Sequence, residues 1–372
     1  MNFVLFAIFL FANEMFILRY VEKITLNSIY LSLIYGLLII VFMLFYQKAI
    51  RHISRGTYNT FFFVIAGFIM IFSVFLLLII SPYELDTERW TAIFNWNDSL
   101  FRGVYPYSAH THLNGENSYI SPFPFWQLLH FPFYLLGNVS YMLFVVLILL
   151  FFILYKLQSR VMDGVQFLLL LCLSPAFWFE IATKSDLMYN VFAVLIICLL
   201  LVYYPHKIWQ HKFLFAFFIG LFACSRFFVM IPLLIFLFRP WLKMEMRDKI
   251  IFVIFFILGF LLPFVPFLFW NFDMLIHFKY SPIYLQTSYQ TNIWLILINV
   301  VLALVLALHC KTKKDFYSYA ALSMFCFAAS AAFKFVVQDG FYGMLYEDNV
   351  FDLSYFSACF PFLLQSLSMK ET

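Results

Sequence analysis

The chain has 372 residues, of which 65% are hydrophobic and 11% charged, with a formal net charge of +4 and a mean hydropathy of +0.93. That composition excludes an ordinary soluble enzyme and makes lipid the main solvent of the chain. The positive balance is too small and scattered for a nucleic-acid partner, so the informative quantity is how bases divide between loops.

Read this way, the sequence predicts one polytopic domain over residues 1–372, all-α, with about 10–12 membrane helices, some short or re-entrant. The amino terminus lacks a basic region and a small-residue cleavage site, so no cleavable signal is expected. All six cysteines (Cys172, Cys198, Cys224, Cys310, Cys326, Cys359) fall in or beside apolar segments and read as packing residues.

Asn2 to Leu18 is a marginal first span because of Asn13 and Glu14, whereas Ser28 to Tyr46 and Thr60 to Ile80 are clear spans. Lys48, Arg51 and Arg55 mark the intervening loop as cytoplasmic, which places the next polar segment outside. That segment, residues 81–126, carries five acids (Glu84, Asp86, Glu88, Asp98, Glu116) against two bases, Arg89 and Arg102. A solvated connecting loop would have the same composition; so would the lip of an outward-facing active site. Within it, Trp90, Ile93, Phe94 and Phe101 recur at helical spacing and predict a short amphipathic helix. Asn97 and Asn138 head formal glycosylation sequons. Pro122, Pro124 and Pro132 then favour a broken or re-entrant half-helix ending at Gly137.

Spans follow at Ser140 to Tyr155, Val165 to Phe179 and Leu187 to Tyr204, with Glu180, Lys184 and Asp186 in an external connection. The 26-residue run Phe213 to Phe238 has basic flanks on both sides. Reading it as a hairpin leaves eight downstream bases inside and two outside, Lys279 and Lys334; a single crossing inverts that count. The hairpin tip is Cys224-Ser225-Arg226. Each arm of about 12 residues reaches about 18 Å, which carries Arg226 past the midplane, where an arginine needs a partner or a wet cavity. A salt-bridged or snorkelling arginine would satisfy the same requirement. Ile250 to Phe269, Ile293 to Leu308, Phe316 to Phe333 and Leu353 to Leu367 complete the spans, with Lys334 to Phe351 as an external loop. On this topology 13 of 19 acids are external and 15 of 23 bases cytoplasmic.

No Walker loop, zinc-protease helix, nucleophile elbow or dinucleotide fingerprint is present. His110 and His112 are spaced to share a metal, but two histidines in a loop rarely do. The order of YELDTERW around Asp86, RGVYPY at Arg102 to Tyr107, YISPFPF at Tyr119 to Phe125, KSDLMYN at Lys184 to Asn190, CSRFFVMIP at Cys224 to Pro232 and the final DNVFDLSYFSACFPFLL resembles the GT-C class of integral-membrane glycosyltransferases. The resemblance is to the polyprenyl-phosphate-sugar-dependent, mannosyltransferase-like members, and runs from Ser81 onward.

That resemblance implies inverting transfer of a mannose-like hexose from a polyprenyl phosphate to a hydroxyl of a glycan or glycolipid on the extracytoplasmic face. Asp86 is then the expected base, with Glu84, Glu88 and Asp98 as neighbours able to replace it. Arg226, Lys184 and Lys279, in that order, are expected to hold the donor phosphate. Asp186, Tyr107, Trp126 and Tyr355 would supply carboxylate and ring faces to the sugar. Arg89, Asp98 and His277 complete the expected substrate-binding set. No cofactor or metal is required, and the partners are the lipid-linked donor, the acceptor and the bilayer, with no nucleic acid. The expected location is a multi-pass membrane position, in a bacterial cell membrane or, in a eukaryote, the endoplasmic reticulum. A transporter or flippase of a lipid-linked saccharide, and a polysaccharide polymerase or ligase, remain as alternatives.

Overall fold

A computed structural model of the chain describes residues 2–22, 27–49, 55–84, 87–113, 118–157, 161–287, 291–347 and 351–369. Among them the architecture is helical, with one isolated bridge between His110 and Tyr119 as the sole strand-like pairing. The helices are α1 (Asn2–Glu22), α2 (Ser28–Ala49), α3 (Arg55–Ile79), α4 (Arg89–Phe101), α5 (Pro124–Leu135), α6 (Tyr141–Leu157), α7 (Val161–Cys172), α8 (Pro175–Ala182) and α9 (Asp186–Tyr203). They continue as α10 (Pro205–Gln210), α11 (Lys212–Ala223), α12 (Met230–Leu242), α13 (Met246–Leu261), α14 (Val265–Trp270), α15 (Pro282–Gln286), α16 (Ile293–His309), α17 (Lys313–Tyr346), α18 (Ser354–Ser357) and α19 (Phe360–Ser368).

Among the described residues, six helices or helix runs are long and apolar enough to cross a membrane: α1, α2, α3, α9, the run from α13 through α14, and α17. The bent pair α7–α8 makes a seventh, and α6, α11, α12 and α16 are shorter apolar helices. The chain is thus a multi-pass, all-α membrane bundle. Burial separates its centre from its rim. In α9, 72% of the span is buried, against 22% in α2, whose Ile29, Leu33, Leu37 and Leu44 face outward as lipid-facing side chains do.

Three local features differ from the sequence reading. The expected single span Val165 to Phe179 is two helices bent by 67° at Ser174-Pro175. Pro175 has no N–H and opens α8, and Ser174 caps it by accepting from the Phe177 N–H. Asn13, which made the first span marginal, accepts from the Ser174 hydroxyl at 2.7 Å and the Ala176 N–H at 3.2 Å. Its polarity therefore completes the cap of a neighbouring helix. Secondly, most of the expected external loop after Phe333 is a continuation of α17, which breaks only at Gly340 (φ 74°, ψ 168°), a conformation open essentially to glycine. Thirdly, α4 is more deeply set than an interfacial helix: Trp96 and Asn97 are fully buried, so the Asn97 sequon is inaccessible.

The hairpin at Arg226 is present. Rings along α10–α11 meet α13 in increasing order, Trp209 on Phe252 and Phe213 on Phe255, so α11 and α13 run parallel. Helix α12 must therefore run back, and its Trp241 indole donates to the Lys249 carbonyl near the start of α13. Two glycines let α11 and α13 touch backbone to backbone. A Cβ on Gly220 would lie 2.1 Å from the Phe256 carbonyl oxygen, and one on Gly259 2.1 Å from that of Phe217.

Candidate functional site

Helix junctions, not helix middles, deliver the charged side chains to one end of the bundle. Helix α8 ends in a Schellman turn: the Ser185 N–H bonds to the Glu180 carbonyl and the Lys184 N–H to that of Ile181. Ser185 then caps α9 by accepting from the Leu187 N–H, and Asp186 occupies its first turn, where the helix dipole favours a carboxylate. Opposite it, the extended backbone of Arg226 turns the α11–α12 hairpin. The first turn of α4 brings Arg89, and the start of the last segment brings Asp352 and Tyr355.

These groups form an alternating ladder. Arg226 Nε and Nη2 donate to the Asp186 carboxylate at 2.6–3.1 Å, with both residues almost wholly buried. Trp126 Nε1 donates to the same carboxylate at 3.0 Å, and Arg89 Nη1 stands 3.9 Å from it. Arg89 also bonds Asp352 directly and lies over the Tyr355 ring at 5.7 Å. Asp352 keeps 44% of its side-chain surface open, so that outer pair is partly screened while the inner pair is dry. Glu180 is 2% exposed, and Ser185 and Ser354 flank its oxygens without reaching hydrogen-bond geometry. Below Trp126, His130 Nδ1 donates to the Trp126 carbonyl at 2.7 Å, which leaves Nε2 to accept from the Tyr189 hydroxyl at 2.9 Å.

Beside this ladder lies apolar space. A small cavity of about 40 Å3 is lined by Arg226, Tyr355, Ser121, Gln286 and Phe327. Gln286 and Phe327 also line a cavity of about 610 Å3 between α12, α13 and α16, walled by side chains such as Leu233, Leu237, Phe256 and Ala303. Gln286 fixes that junction: its amide donates to the Ser121 carbonyl at 2.7 Å and accepts the Phe227 N–H at 3.2 Å.

Of the residues expected to form the site, Arg89, Trp126, Asp186, Arg226 and Tyr355 come together. Lys184 adjoins them in the chain and is 6% exposed, and among the described residues its side chain makes no hydrogen bond or ion pair. Asp86 lies outside the described residues, as does Glu116. Asp98 instead pairs with Arg102 at 3.0 Å and accepts from the Tyr134 hydroxyl at 2.8 Å, a brace on the far end of α4. Tyr107 is buried and donates to the Pro122 carbonyl at 3.0 Å, which is a packing role. His277 pairs with Asp273 on an exposed turn, and Lys279 lies over the Tyr280 ring, neither touching the ladder. Glu88 accepts from the Thr111 hydroxyl, and burial raises its carboxyl above the usual value despite that bond. His112 bonds Thr91 at 2.9 Å, and among the described residues no three metal-type ligands converge.

Sequence reasoning missed Gln286, Glu180 and His130 as members of this end. Glu180 and Asp352 stood among the external acids, but Gln286 sits in an unpatterned polar stretch with no periodic signal. No family model, curated protein or solved structure matches this chain.

Proposed function

We propose that the protein is a membrane glycosyltransferase that moves a hexose from a polyprenyl-phosphate donor to a hydroxyl of a glycan or glycolipid acceptor on the extracytoplasmic side. The observation that carries this reading is that Gln286 and Phe327 line both a large apolar cavity and the small one against Arg226 and Tyr355 of the buried ladder. A lipid-linked sugar has the matching shape: a long apolar tail joined to an anionic head. The motif order that resembles the GT-C class supports the same assignment.

In this reading the acceptor hydroxyl attacks the anomeric carbon as Asp86 takes its proton, and the carbon–oxygen bond to phosphate breaks. Asp86 is three residues from Arg89, a span of at most about 11 Å of chain. The prenyl phosphate leaves as an anion, which a nearby cation stabilises. Arg89 is spent on Asp352, Asp186 and the Tyr355 ring, so it ties α4 to the start of α9 and to the final segment around the reacting groups.

The cavity gives the test. Ala303 is closed in on α16 and lines it, so Ala303→Trp fills space that the tail would need. Titrations of the purified chain should show farnesyl phosphate weakened about tenfold or more and isopentenyl phosphate unchanged. Equal effects on both ligands, or none on either, contradict the assignment of the cavity to the tail.

A further inference from the structure

Resting on that reading, we infer that Gln286 is a positioning residue: its side-chain amide is a wedge between two backbone segments and holds open the small cavity beside Arg226, where the donor's phosphoryl group is received.

The wedge shows in the register of the backbone. Segments 121–123 and 225–227 run side by side, and the Phe123 N–H donates to the Ser225 carbonyl at 3.0 Å. In an antiparallel pair the bonded positions recur every two residues, so the next bond would join the Phe227 N–H to the Ser121 carbonyl. Those two groups are joined through Gln286 instead. The Phe227 N–H donates to Gln286 Oε1 at 3.2 Å, and Gln286 Nε2 donates to the Ser121 carbonyl at 2.7 Å. A side-chain amide offers a donor and an acceptor as a peptide unit does, so it takes the place of a direct bond and parts the two backbones by its own width. Helix α15 brings it there: Pro282 opens the helix, Ser281 caps it by accepting from the Tyr284 N–H, and Gln286 is its last residue.

What is held open is a space of about 40 Å3 whose lining includes Ser121, Arg226 and Gln286. At about 10–15 Å3 for each water position it takes about three, close to the space that the outer oxygens of a phosphoryl group need. Arg226 grips Asp186 through Nε and Nη2, which leaves Nη1 outside that grip. Gln286 also lines the large cavity, which gives its amide room to withdraw. Once it withdraws, the Phe227 N–H and the Ser121 carbonyl are free to bond each other, and Arg226, between 225 and 227, is drawn toward Ser121. That exchange trades two hydrogen bonds for one and a released amide, a difference of about two- to tenfold in population. The junction therefore has two arrangements of similar free energy, and a phosphoryl group, which fits only the parted one, selects it.

Farnesyl phosphate and farnesol share a tail, so the ratio of their affinities reads the head group alone. In the purified full chain Gln286→Ala should lower the preference for farnesyl phosphate about tenfold, with farnesol bound as in wild type. Its backbone at 225–229 should keep its protection from hydrogen exchange, because the Phe227 N–H passes from Gln286 to Ser121. Gln286→Asn keeps an amide but is one methylene too short to reach the gap, and should behave as the alanine variant does, so a chain that tolerates alanine poorly is still tested. An unchanged preference, or faster exchange at 225–229, overturns the inference and leaves the proposed function standing. Loss of farnesol binding in both variants would mean that Gln286 carries the fold rather than the opening, and overturns the inference too. Wild type that binds farnesol as tightly as farnesyl phosphate overturns the proposed function itself.

Discussion

Arg226 and Asp186 show what a buried charge does when it is paired. Taking both from water costs several kcal/mol each, and the bidentate contact, the Trp126 indole and the α9 amino terminus offset that cost. Removing one partner should therefore hurt more than removing both. Arg226→Gln leaves Asp186 with Trp126 and a more distant Arg89, and should cost about 3–5 kcal/mol. Asp186→Asn with Arg226→Gln should recover at least about 2 kcal/mol of the summed single losses. Thermal unfolding of the four proteins in one detergent measures that coupling; additive losses would mean that the pair does not act as a unit.

At the scale of elements, close helix contact does what hydrophobic collapse does in water. Apolar side chains gain nothing by leaving lipid, so α11 and α13 are held by dispersion between backbones that two glycines allow to touch. Gly220→Ala puts a methyl 2.1 Å from a carbonyl oxygen and should cost roughly 1–3 kcal/mol. Gly67→Ala in α3, where nothing lies within 4 Å, should be neutral or slightly stabilising. Unfolding of both variants checks this, and equal effects would remove the case for a tight α11–α13 crossing. The membrane helices were legible beforehand because apolar runs of span length leave few alternatives, and the hairpin because bases flank both of its arms. The bend at Ser174-Pro175 was harder to read: a proline in an apolar run is compatible with a kink or a clean break, and the partner that settles it, Asn13, is 161 residues away. Asp98, Tyr107, His277 and Lys279 had the right chemistry for the site, but each is satisfied locally, by Arg102, Pro122, Asp273 and Tyr280. Spacing along the chain does not carry that information.

Across the whole molecule, charge and cavity divide by end. The ladder of Arg226, Asp186, Arg89 and Asp352 collects at the end where the start of α4, the start of α9 and the turn at 224–226 meet the segment at 352. At the other end, Lys212 pairs with Asp248, Arg239 donates to the Cys310 carbonyl and Lys313 lies over Tyr203. Gln286 lines both the cavity between α12, α13 and α16 and the small one beside Arg226, so a substrate of the proposed kind entering from the bilayer there would react near one membrane surface. The central claim is that such a lipid-linked sugar is consumed there. Mass spectrometry of lipid extracts and glycans from cells with the protein, without it, and with Arg89→Ala in its place tests this most directly. The account predicts that a polyprenyl-phosphate hexose accumulates, and a hexose is missing from a glycan or glycolipid, in both deficient strains. Lipid-linked sugars and glycans that match the wild-type profile in the strain without the protein would contradict it.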